Sequence, residues 1–92
     1  MIIRNNTIFF KSNDKFYHKE KQGMKPNTVR FFHDLTELKD MINFHAEFLE
    51  EPKFIQIQNS MAPHQYFKRC IIDISQFPDM WCWIFSWGHD EE

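Results

Sequence analysis

Glycine and cysteine are both scarce in this 92-residue chain, with two of each. Gly23 and Gly88 lie too far apart to build a phosphate-cradling loop, which needs closely spaced glycines so that backbone N–H groups can approach the ligand. Cys70 and Cys82 are too few for a disulfide scaffold. Both sit in apolar stretches, where a thiol stays protonated and inert, so free, reduced thiols are expected and a cysteine nucleophile is not. The five histidines show no C-x-x-C or H-E-x-x-H spacing, so no metal site and no cofactor are expected. No apolar run approaches the roughly 18 residues a membrane span needs. Met1-Ile2-Ile3-Arg4-Asn5-Asn6 has no apolar export-signal core, and the expectation is a cytoplasmic protein with no membrane partner.

What the chain does have is aromatic bulk. Eleven Phe, three Trp and two Tyr make 17% of the residues, enough to fill one small core with few side chains. Residues 1–88 read as a single domain, followed by an acidic tail, 89–92. The net charge of −2 conceals an asymmetry. Residues 1–30 carry seven basic against two acidic side chains, a formal +5, and residues 31–92 carry four against eleven, a formal −7. The first third is therefore the candidate anion-facing surface, although a pI near 6.2 excludes a generally basic nucleic-acid binder.

Thr7-Ile8-Phe9-Phe10 reads as a strand, and Ser12 or Asn13 caps a helix over 13–22 that Gly23 ends. Asn27–Phe32 reads as a second strand with Thr28, Arg30 and Phe32 on one face and Val29 and Phe31 on the other. Asp34 opens an acidic amphipathic helix that Pro52 stops, with Leu35, Leu38, Met41, Ile42 and Leu49 at helical spacing and Glu37 placed for a capping box. Phe54–Asn59 and Tyr66–Ser75 read as a hairpin around a polar loop, 59–65. On its second strand Cys70, Ile72 and Ile74 are assigned one face, and Phe67, Arg69, Ile71 and Asp73 the other. Trp81–Trp87 is apolar on both faces and reads as central or helix-covered, its three tryptophans as core, with base stacking as the alternative role. The sum is an α+β domain with a curved, mainly antiparallel sheet, or partial barrel, of about five strands and two helices.

One stretch looks like a site: Gly23-Met24-Lys25-Pro26-Asn27-Thr28-Val29-Arg30. Gly23 permits positive φ, Pro26 forces Lys25 toward an extended conformation, and Thr28 and Arg30 leave the same strand face. An ammonium, a hydroxyl and a guanidinium are thereby expected to converge on a pocket for a carbonyl, a phosphate or a nucleobase edge. The plain alternative is that Thr28 serves strand propensity, Arg30 pairs with the acidic helix, and Lys25 is solvated.

The pattern G-x-K-x-x-T-x-R after a short helix, filled by Gly23, Lys25, Thr28 and Arg30, resembles the signature of ASCH domains in the PUA-like superfamily. The specific match covers about eight residues. It implies a PUA-like fold and binding of RNA or a modified nucleotide by Lys25, Thr28 and Arg30; outside the motif, Lys21 and Arg69 are further candidate binding cations. In enzymatic members it implies amide hydrolysis of an acetylated nucleoside, with Lys25 as base and Thr28 as nucleophile. Such enzymes also use a Glu on a downstream helix, which has no evident counterpart after the hairpin. A third reading is an accessory or inhibitor protein, of the kind phages and other mobile elements encode, that binds a host protein through the acidic helix 35–49.

Overall fold

Two runs of β-formers flank Asn5-Asn6 at the start of the chain, and Asn5 takes the left-handed backbone (φ 55°) that asparagine tolerates in a tight turn. A computed structural model describes residues 2–88, and the acidic tail, 89–92, lies outside the described residues. The turn joins β1 (Ile2–Arg4), which the sequence reading omitted, to β2 (Thr7–Ser12). There follow α1 (Asp14–Lys21), β3 (Asn27–Phe31), α2 (Leu35–Phe48), β4 (Phe54–Asn59), β5 (Ala62–Gln76) and β6 (Cys82–Trp87). The described strands form one sheet in the order β1-β2-β4-β5-β6-β3, antiparallel throughout except for the parallel pair β2–β4. The expected α+β class, mainly antiparallel sheet and two helices are borne out, with six strands in place of about five.

The hairpin differs from expectation in two ways. Its turn is only Ser60-Met61, because Asn59 already pairs with Ala62. The next pair is Gln58 with Tyr66, so Pro63, His64 and Gln65 sit in a register shift, where a residue without an N–H is tolerated. A second shift at Ile72 falls where β5 passes from β4 to β6. It inverts the alternation: Phe67, Arg69 and Ile71 point inward, and after the shift Ile74 does too, while Ile72 and Asp73 are exposed. Cys70, Ile72 and Ile74 therefore do not share a face. Both cysteines are free thiols.

α2 is capped as expected, with Asp34 accepting from the Thr36 N–H at 2.7 Å. Its buried stripe is Leu38, Met41 and Phe44, whereas Leu35, Ile42 and Leu49 are exposed. The seven-residue spacing of that exposed trio sets it about 100° around the helix from the stripe that meets the core. At the far end of α2, Lys53 is 1% exposed and donates to Glu47 at 2.7 Å and Glu51 at 3.0 Å. Burial works against its ammonium, but the two glutamates outweigh it and hold its pKa above the ordinary lysine value. β6 lies between β5 and β3 with Trp83 and Trp87 buried, and His45 of α2 meets the Trp83 ring edge-on at 5.3 Å.

Tyr17 of α1 is fully buried, and its hydroxyl has no hydrogen-bond partner among the described residues. An unsatisfied buried hydroxyl costs about 1–3 kcal/mol, so Tyr17→Phe should raise stability at neutral pH by about 1 kcal/mol. Burial also holds the phenol above its ordinary pKa, against the opposing charge of Arg69. The folded chain then keeps this proton where the unfolded chain has lost it. The contribution is full below the unfolded value and fades as pH rises through the folded one. Urea midpoints at neutral and alkaline pH check both effects, since the variant should flatten the alkaline decline. A loss of stability at neutral pH would mean that the hydroxyl is satisfied after all.

Candidate functional site

Asn13 caps α1 by accepting from the Phe16 N–H at 3.0 Å, and Gly23 ends the helix region with φ 81°. The reversal lets the Lys25 N–H bond the Lys19 carbonyl at 3.2 Å, which carries Lys25 back beside the helix. There it meets Glu20, whose side chain is 2% exposed. On β3 the expected alternation holds: Thr28 and Phe32 are buried, Arg30 is half-buried, and Val29 and Phe31 are exposed.

These side chains form one connected network. Glu20 accepts from Ser12 Oγ at 2.9 Å through one oxygen and from Lys25 Nζ at 3.3 Å through the other. Lys25 Nζ also donates to the Asn27 carbonyl at 3.0 Å. The Arg30 guanidinium donates to Thr28 Oγ1 at 3.0 Å, the Lys11 carbonyl at 2.8 Å and Ser12 Oγ at 2.7 Å. Its central carbon lies 4.6 Å from the centre of the Phe10 ring. Burial lowers the Arg30 pKa from the ordinary arginine range, and the Glu20 charge opposes that shift. Arg30 therefore bonds β2 and its own strand, not the acidic helix.

A cleft of about 380 Å³ opens over this network, lined by Lys25, Thr28 and Arg30 together with Lys11, Ser12, Glu20 and Phe16. The three motif side chains thus share one concavity. Lys21 and Arg69 do not line it. Arg69 is 6% exposed; its guanidinium donates to the Lys21 carbonyl at 3.2 Å and the Lys68 carbonyl at 3.0 Å, holding the end of α1 from beneath. The inward turn of β5 puts it there, and the shift at Ile72 sends Asp73 to the surface.

The sequence offers Ser12 only as a helix cap and does not single out Glu20, yet both belong to the site. The available signal was spacing: Glu20 lies three residues from Tyr17, on the face that the helix buries. Among the described residues no three His, Cys, Asp or Glu side chains gather as a metal-ligand set. Trp83 and Trp87 are buried in the core, and Trp81 packs against it. No protein-family profile, no characterised protein and no solved structure matches this chain.

Proposed function

We propose that this chain is an ASCH-like domain that binds RNA or a nucleotide through the cleft at Lys25, Thr28 and Arg30. The observation that carries the reading is the charge of that cleft. Among the described residues Lys11, Lys25 and Arg30 line it with a single carboxylate, Glu20, for a formal +2. Arg30 spends three of its five N–H groups on Thr28, Lys11 and Ser12, which leaves two in a fixed plane for a phosphate.

The same geometry favours binding over turnover. A base that takes the Thr28 proton must reach that hydroxyl. Lys25 Nζ instead donates to Glu20 and the Asn27 carbonyl, while Thr28 Oγ1 accepts from Arg30.

The test is a salt-series titration against short single-stranded RNA. Lys11→Ala with Lys25→Ala should lower the slope of log K against log salt by about 1.4, the counterion release of two phosphate contacts. Thr28→Val should leave the slope unchanged, because a hydroxyl releases no counterions. Absence of binding at low salt overturns the reading. Hydrolysis of an acetylated cytidine, lost in Thr28→Val, would replace it with the amidohydrolase.

A further inference from the structure

A second concavity of about 670 Å³ lies across the face of the sheet turned away from the core. Cross-strand register builds it in rows. Ile2, Phe9, Gln56 and Lys68 stand side by side across four strands, and Lys11, Gln58 and Tyr66 form the next row. The alternate residues of these strands, Ile8, Ile55, Ile57 and Phe67, are buried on the opposite face. Among the described residues the lining includes the cations Arg4, Lys11 and Arg30 and no acid. The α2 acids Asp40 and Glu47 line a separate hollow with Ile3, whose side chain lies on the other side of β1. Tyr66 is 57% exposed. Lys11 and Arg30 line this concavity and the motif cleft alike, so the two run into one another.

Cations without acids suit a polyanion, the aromatic rings of Phe9 and Tyr66 suit the faces of unpaired bases, and the amides of Gln56 and Gln58 suit base edges. In a duplex those base faces are already stacked, so the rings would have nothing to hold. We propose that this sheet face is a track for single-stranded nucleic acid, entered from the motif cleft across Lys11 and Arg30. The proposal takes its ligand class from the nucleic-acid reading above but not its contacts.

The experiment is fluorescence anisotropy of the full chain with labelled oligouridylates of about 2, 4, 8 and 12 nucleotides, within the range of small single-strand platforms, and with a duplex of the longest. Affinity should climb from the shortest to about 8 nucleotides, and the duplex should bind at least about tenfold more weakly. Tyr66→Ala should weaken the 8-nucleotide probe roughly 5- to 150-fold, as expected for one lost stacked base, and leave uridine monophosphate unaffected. Tyr66→Trp should restore the loss. Phe9→Leu, which keeps apolar bulk at a half-buried site, should act in the same direction as Tyr66→Ala. Length-independent affinity, equal binding of the duplex, or no effect of either ring variant overturns the track. Any of these, with binding still lost in Lys25→Ala, leaves the cleft reading intact. No binding of any probe overturns both.

Discussion

Replacing Arg30 with alanine should remove about 3–5 kcal/mol of folding stability, the largest loss expected from a single polar side chain here. Three hydrogen bonds from a charged, half-buried donor vanish together, and the buried Glu20 loses the nearby cation that faces it through Ser12. Ser12 Oγ and Thr28 Oγ1 each lose a donor in sites that water enters poorly. Arg30→Lys should recover only a small part, because a single ammonium cannot direct bonds to three acceptors in one plane. Urea unfolding with an unchanged slope would measure it. A loss below about 1 kcal/mol would show that the network does not hold the strands together.

Glu20→Ala should also destabilise strongly, by about 3 kcal/mol, since the carboxylate is buried and bonded at both oxygens. Its effect on binding should have the opposite sign. Among the described residues Glu20 is the only acid lining the cleft, so Glu20→Gln should tighten RNA about five- to thirtyfold, corresponding to relief of roughly 1–2 kcal/mol of repulsion at intermediate dielectric. Titration of both proteins at one low salt concentration decides the matter. Weaker RNA binding by folded Glu20→Gln would assign the carboxylate a direct contact with the ligand and defeat the electrostatic account.

The parts of the site legible in the sequence are those set by local rules. Period-2 alternation placed Thr28, Arg30 and Phe32 together because β3 has one buried face. Gly23 marked a reversal because positive φ suits a residue without a Cβ. Asp34 announced α2 through capping chemistry. What escaped depends on partners distant in the chain. Ser12 looks like a surface residue until Arg30, 18 positions on, arrives to donate to it, and Glu20 until Ser12 and Lys25 meet it. The shift at Ile72 has no local signal. It follows from β5 serving two neighbours in succession, and it sends Asp73 outward while Arg69, before the shift, keeps the inward face it shares with Phe67 and Ile71. The sheet-face rows are less visible still, because they need β2 to lie parallel to β4 across an intervening helix, strand and second helix.

The sheet ends at β1 on one side and β3 on the other, yet Arg30 reaches from β3 to the Lys11 carbonyl and Ser12 on β2. The Phe32 N–H bonds Trp81, and the Trp87 N–H bonds Pro26. By alternation, the backbone groups of Val29 and Phe31 therefore point away from β6, into the gap that Arg30 spans. A guanidinium, not a ladder, closes this side of the molecule. Opening the gap requires release of the Arg30 side-chain bonds alone while every ladder pair stays intact, so its cost is what those bonds contribute. Lys11 and Arg30 border both concavities, so one such motion would widen or narrow the two together. A polyanion held by both residues would act as a clasp across the gap, and the occupied protein would be the stiffer one.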